Sequence, residues 1–305
     1  MQIKRVVVGM DFSNPAVAGV QWAARQLAPD AEFLLVHVID VPRMPEFLRG
    51  TAPRRDEIES VARQFASARL ADLTTLLPGS HPPGIIRVGR PHEQLALLAD
   101  EEKADLILIG PHGDRPRPWK LLGTTAERLV RAANRPVMVA CAVPSTTPTH
   151  VLAAVDDDRA TQMVLRWARG LADAHGAAVT AVHVISNAAM SDVLSLAAAR
   201  ARDEGDRLTR VLTEMVGEGT RWLETLLAEG LDTRRTGAVV SFGHAGDVIL
   251  QTAVDIAADL IVLGRRGTSE VIPAILGSTV STVLHGARCP VLVVTDDSPP
   301  REEQN

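Results

Sequence analysis

Tyrosine is absent from this 305-residue chain, and the other aromatic rings amount to five Phe and four Trp. So thin a supply of rings argues against the stacking platforms that hold single-stranded nucleic acid. Cysteine is scarce as well. Cys141 and Cys289 have no CxxC spacing and no His close by, so two buried free thiols are expected. An excess of positive charge is missing: 32 Lys plus Arg stand against 37 Asp plus Glu, a formal charge of -5, with no basic tract for a polyanion. Nucleic acid is therefore not an expected partner. No apolar run approaches the roughly 18 residues of a membrane span. The run that follows Lys4 and Arg5 stops at Asp11, too short for the apolar core of a signal peptide. A cytoplasmic protein without a membrane partner is the expectation. What is present is ordinary globular material, 46% hydrophobic and 23% charged, and its length suggests two domains at roughly 150 residues each.

The chain repeats itself. Ala104-Asp105-Leu106-Ile107-Leu108-Ile109-Gly110 matches Ala258-Asp259-Leu260-Ile261-Val262-Leu263-Gly264 at an offset of 154. The same offset carries Gly89 to Gly243, Gly123 to Gly277, and Pro136-Val137 to Pro290-Val291. Nearer the start of each half, Val8-Gly9-Met10-Asp11 corresponds to Ala153-Ala154-Val155-Asp156 at offset 145, and Val36-His37-Val38-Ile39 to Val182-His183-Val184-Ile185 at offset 146. The step from 146 to 154 is a net insertion of eight residues in the second half. Two copies of one domain follow from this register. The Pro-, Ser- and Thr-rich stretch 143–149 marks the boundary, giving domains at 1–143 and 150–295 and an acidic, proline-containing tail at 296–305 that is expected to be disordered.

Within each half, short apolar runs alternate with longer amphipathic stretches, the pattern of a parallel sheet with crossover helices. Strands are expected at 3–9, 32–39, 85–88, 105–109 and 136–140, and again at 151–155, 178–185, 238–241, 259–263 and 291–294. The fold class is α/β: two tandem, doubly wound, five-stranded parallel-sheet domains of Rossmann-like form. Pro91 suits a first helical position, and Ser13-Asn14-Pro15 offers a cap followed by Pro. The Pro-rich stretch 43–55 reads as a loop. The Ala-, Leu- and Glu/Arg-rich stretch 187–230 reads as helix, with a break expected near Gly217 or Gly219.

One spacing carries the chemistry. The fourth strand of the first half is followed by Gly110-Pro111-His112-Gly113, nine residues, then Gly123-Thr124-Thr125. In the second half the counterpart is Gly264-Arg265-Arg266-Gly267, nine residues, then Gly277-Ser278-Thr279. Both obey GxxGx(9)G[ST], which at a Gly frequency of about 7% arises by chance in a chain this long about once in a hundred times. Open α/β sheets bind ligands at their carboxyl edge. A Gly there lets the backbone turn and lets a ligand approach without a Cβ in the way. The second Gly would open a helix whose unpaired N–H groups and positive dipole end suit phosphate, and the hydroxyls of Thr124, Thr125, Ser278 and Thr279 add donors. The alternative is that these glycines only end strands and cap helices.

Competing motifs are missing: GxxxxGK[ST] and GxSxG do not occur, no strand is followed by GxGxxG, and the nine His include no HExxH pair. Gly217-Glu218-Gly219 is a decoy, since position 222 is Trp.

At these residues the sequence resembles the universal stress protein family in its tandem form, over nearly all of both halves. In that family the GxxGx(9)G[ST] element goes with ATP binding, so the resemblance implies an adenine nucleotide as ligand. It implies that Asp11 and Asp156 contact the ribose hydroxyls and that Val38 and Val184 meet adenine through backbone groups. Gly110, Gly113, Gly123, Thr124 and Thr125 would line the phosphate side of the first site. Gly264, Gly267, Gly277, Ser278 and Thr279 would do so in the second. From the residues alone, Asp11 suits either ribose or a helix cap. The run Asp156-Asp157-Asp158 suits a solvated face, its charge opposing a triphosphate unless Mg2+ bridges them. His37 and His183 are expected to serve packing or hydrogen bonding. Gly9 is Ala154 in the second half, and the loops differ, with Arg115, Arg117 and Lys120 in the first and Pro273 in the second, so unequal sites are expected.

Two functions from different classes compete. In one, ATP is a regulatory ligand of a stress-response protein that sets conformation or the choice of a protein partner. In the other, the chain is a slow ATPase or a nucleotidyl or phosphoryl transferase, which needs a base beside the γ-phosphate and a metal carboxylate. His112 is the one titratable candidate, and its counterpart is Arg266, which argues against a duplicated base. A flavin-binding electron carrier has only the α/β pattern in its favour. The apolar last strands of each half would be sheet edges. Through such strands the family pairs its domains, which implies pseudo-two-fold pairing of the halves and a homodimer of the chain.

Overall fold

The computed structural model describes residues 2–40, 54–79, 81–114, 122–144, 146–157, 160–186, 205–228, 235–265 and 276–295. They fall into two compact units, Gln2–Thr147 and Pro148–Asp296.

In the first unit β1 (Arg5–Gly9) leads to α1 (Asn14–Trp22), which continues as a π-helical turn, Ala23–Leu27. Then follow β2 (Glu32–Ile39), α2 (Arg55–Leu76), β3 (Ile85–Val88), α3 (Pro91–Glu101), β4 (Leu106–Ile109), α4 (Thr124–Ala132) and β5 (Val137–Val139). The strand order is β3-β2-β1-β4-β5, parallel throughout. β1 lies at the centre, with Val8 in register with Leu35 on one side and Leu108 on the other. Strands covered on both faces need apolar residues at every position, which is why Val6, Val7 and Val8 form an unbroken run and are all buried. Each such side chain contributes about 1.5–3 kcal/mol relative to exposure. Chain direction across the sheet reverses between β1 and β4, and that point opens a crevice at the carboxyl edge.

The second unit repeats the scheme with β6 (His150–Ala154), α5 (Ala160–His175), β7 (Ala178–Ser186), α6 (Gly205–Ala228), β8 (Thr236–Gly243), α7 (Ala245–Asp255), β9 (Leu260–Gly264), α8 (Ser278–Gly286) and β10 (Val291–Val294). Its order is β8-β7-β6-β9-β10, again parallel.

The repeat seen in the sequence is carried into backbone detail. Gly89, just past β3, and Gly243, the last residue of β8, have φ of 140° and 145°. Lys103 and Ala257 both turn left-handed after a helix, at φ 51° and 52°. At the amino edge, Asp105 accepts from the N–H groups of Lys4 (2.8 Å) and Arg5 (2.9 Å). Asp259 accepts from those of Thr149 (2.8 Å) and His150 (3.2 Å). The Asp105 carboxylate thus holds the entry to β1, which begins at Arg5, not at residue 3.

One expectation fails. α6 runs through Gly217 and Gly219 without a break. Gly in a helix interior costs about 1 kcal/mol relative to Ala, but here packing overrides it. A Cβ on Gly219 would lie 3.2 Å from both Val240 methyl carbons, so this residue lets α6 close onto β8, while Leu223 and Leu227 are buried. Expected features in 41–53, 187–204, 229–234 and the 296–305 tail lie outside the described residues. The stretch expected as loop up to Arg55 gives way at its end to helix: Arg54 caps α2, and its N–H donates to Glu57 Oε2 at 3.2 Å.

Candidate functional site

Past Gly9 the chain leaves β1 but stays tied to β2, with the Met10 N–H donating to the Val36 carbonyl at 2.8 Å. The Met10 carbonyl lies 2.8 Å from His37 Nδ1. The expected hydrogen-bonding role of His37 is thus realised on the residue before Asp11. Asp11 is exposed and its Oδ1 accepts from the Ser13 N–H at 3.0 Å. The cap of α1 is Ser13, which is buried and accepts from the Ala16 N–H at 3.4 Å, with Pro15 in the first helical positions. Of the two roles open to Asp11, the helix cap therefore belongs to its neighbour, and Asp11 Oδ2 is left to face Gly113.

β4 delivers the glycine segment against this turn. A Cβ on Gly110 would lie 3.1 Å from the Ala16 backbone nitrogen, so glycine lets the strand end pass the start of α1 without pushing it outward. The Gly123 N–H donates to the Pro111 carbonyl at 2.7 Å, which closes the two ends of the long loop on each other. α4 then starts at Thr124 with Gly123 as its cap, an extended residue with no side-chain bond to the helix. Its first-turn donors, at Thr124, Thr125 and Ala126, border the crevice with no side-chain cap from Gly123. Asp114 Oδ1 accepts from the Asn14 N–H at 3.0 Å, tying the loop to α1. His112 Nδ1 lies 3.0 Å from the Gly113 carbonyl.

These segments enclose a cavity of about 390 Å3. Asp11, Val38, Gly110, Gly113, Gly123, Thr124 and Thr125 all line it, so the seven residues named for the first site are brought together. Its size falls in the range of small-molecule sites. Sequence reasoning missed Ser13, Leu95 and Asp114 as lining residues. Leu95 on α3 is the floor: a Cβ on Gly9 would lie 2.8 Å from its Cδ1. The one signal for it was the helix start at Pro91. Beside that start, His92 is held below its ordinary value by burial and by Arg128, Arg90 and Arg131, against the pull of Glu93.

In the second unit the same frame recurs. The Val155 N–H donates to the Val182 carbonyl at 2.9 Å, and His183 Nδ1 lies 3.2 Å from the Val155 carbonyl. Asp156 follows β6, Val184 is on β7, Gly264 ends β9, and Gly277 caps α8 without a side-chain bond, with Ser278 and Thr279 opening the helix. Gly267, Arg266, Pro273 and Asp158 lie outside the described residues, as do Arg115, Arg117 and Lys120 of the first loop. Details differ between the units. Asp156 Oδ1 accepts from the Asp157 N–H at 2.9 Å and lies 3.8 Å from His183 Nδ1. Among the described residues there is no group of three metal-ligating side chains, and no described helix is long and apolar enough to cross a membrane.

The model of the Universal stress protein family matches residues 2–140 and 148–295. Universal stress protein Rv2623 of Mycobacterium tuberculosis is 26% identical over 310 residues, covering 95% of this chain and 96% of its own. Universal stress protein MJ0577 of Methanocaldococcus jannaschii is 27% identical over 151 residues, 45% of this chain and 93% of its own. A crystal structure of a universal stress protein from Archaeoglobus fulgidus shares the fold, with a TM-score of 0.64 at 19% identity over 97% of this chain and 100% of its own.

Proposed function

The chain belongs to the universal stress protein family, and from that membership we propose that it binds ATP as a regulatory ligand of a stress response. The observation that carries this reading is the start of α4, whose uncapped N–H groups open onto the cavity beside Gly110 and across from Asp11. A helix start of this kind supplies backbone donors and a positive dipole end to phosphate. The triphosphate would lie along Gly110, Gly113, Gly123, Thr124 and Thr125, and the ribose hydroxyls would bond to Asp11. Adenine would rest at Val38. Mg2+ would enter with the triphosphate, held by phosphate oxygens and water. By the repeat, Asp156, Val184, Gly264, Gly267, Gly277, Ser278 and Thr279 form the second site.

ATP acts in this reading as a ligand with slow turnover at most. Release of phosphate from bound ATP, followed over hours, measures that directly. The binding test is to denature freshly purified protein and quantify released nucleotide per chain, for the wild type and for Gly123→Glu and Gly277→Glu. Adenine nucleotide that falls with each variant supports a site in each unit. No released nucleotide together with no ATP binding on titration overturns the reading.

A further inference from the structure

Phe12 is the residue between Asp11 and the α1 cap, and its backbone is left-handed, at φ 64°. A bulky side chain at positive φ is a steric outlier and persists only where surrounding contacts hold it. Those contacts are specific. The Phe12 ring stacks on the His37 imidazole, with centroids 4.7 Å apart and planes 27° from parallel. From α2, the Arg69 guanidinium sits 4.9 Å from the Phe12 ring centre, and the Phe65 ring meets it edge-on at 6.3 Å. His37 is itself fixed by the Met10 carbonyl at 2.8 Å. One imidazole therefore holds both chain neighbours of Asp11, residue 10 through its carbonyl and residue 12 through its ring.

The second unit lacks this arrangement. Asp157 stands at the place of Phe12, and it is not among the described residues with positive φ. The ring against His183 there is Trp222 of α6, edge-on at 5.3 Å. An aromatic partner for the histidine is thus kept in both units, but only in the first is it attached to the residue after the aspartate.

We propose that Phe12 is a positioning residue for the first site: its ring, packed against His37 and Arg69, holds the left-handed turn that aims the Asp11 carboxylate into the cavity. This rests on the nucleotide reading above. The Asp11 Oδ1 bond to the Ser13 N–H is the part of the turn that reports on it without any ligand.

The test uses the full chain, with ATP affinity by calorimetry and hydrogen exchange at the Ser13 amide, for the wild type and for Phe12→Ala, Phe12→Gly and Phe12→Tyr. Phe12→Ala and Phe12→Gly should each bind roughly tenfold more weakly, the worth of one charge-assisted hydrogen bond, with faster exchange at Ser13. Phe12→Tyr keeps the ring and should restore both readouts. Wild-type affinity in Phe12→Ala overturns the inference, and so does wild-type affinity in Phe12→Gly, which would make the backbone turn sufficient without the ring. A wild-type chain that binds no ATP overturns the nucleotide reading itself, an outcome distinct from wild-type binding that is indifferent to Phe12.

Discussion

Gly113 faces the Asp11 carboxylate so closely that a methyl group on it would come within 3.1 Å of Asp11 Oδ2. The neighbour in question is the exposed end of a side chain, so Gly113→Ala can fold by turning the Asp11 carboxylate away from its place beside the Ser13 N–H. The cost then falls on the ligand. Gly113→Ala is expected to melt as the wild type does and to bind ATP about threefold to tenfold more weakly, a fraction of one charged hydrogen bond. Paired melting and calorimetry check it, and a large drop in melting temperature would contradict it.

The two helix-cap glycines make a second comparison. A Cβ on Gly123 would meet the Pro111 carbonyl oxygen at 3.1 Å, whereas on Gly277 the nearest described atom is the Arg265 carbonyl oxygen at 3.8 Å. Both residues have extended backbones that alanine accepts, at φ -68° and -55°. Sterics alone should separate them. Gly123→Ala should therefore destabilise its unit by about 1 kcal/mol more than Gly277→Ala does, within the usual span of point substitutions. Chemical denaturation of the two variants measures the difference.

Asp105 and Asp259 each hold two successive backbone amides at the amino edge of a sheet. In each pair one amide is open to water and the other is part-buried, so removing either carboxylate costs about 1 kcal/mol. Asp105→Ala and Asp259→Ala are expected to lose stability by similar amounts while ATP affinity of the remaining folded protein is unchanged. An affinity loss without a stability loss would refute this assignment.

Burial pushes the Cys141 thiol up to about 12 from an ordinary 9.0, although the residue as a whole is only partly covered. The thiolate is the reactive form, so Cys141 should resist iodoacetamide at pH 8 in the native protein and react once unfolded. The sign for stability follows from the same shift. Above pH 9 the unfolded thiol ionises and the folded one does not, so this residue's contribution falls as pH rises from about 9 to about 12. Mass spectrometry of alkylated native and denatured samples reads the first effect.

Much of this was written in the order of residue types. β2, β3 and β10 span the residues expected of them, and β10, buried along its whole length, shows the reason most plainly, because a strand covered on both faces is apolar at every position. The glycine spacing marked the cavity because close backbone approach at Gly110 favours a residue without a Cβ. What stayed illegible was settled by contacts distant in the chain. The Asp114 bond to the Asn14 N–H spans 100 residues, and no local pattern announces it. The turn at Phe12 runs against the preference of its own side chain, so local propensity points away from it. The break expected in α6 failed because Gly219 answers to Val240 on another element.

The amide-holding carboxylates recur in both copies, each on two successive amides, and they stand at the opposite end of the strands from the glycine crevice. Duplication has thus left a chain with two edges under different rules. The amino edge is a shared foundation where the copies have kept one solution, while at the carboxyl edge Gly9 has become Ala154 and Phe12 has become Asp157. A change of ligand preference in one copy need not disturb the fold of that copy or the preference of the other. On the nucleotide reading proposed above, such a chain would read two small-molecule signals, or one signal over two concentration ranges.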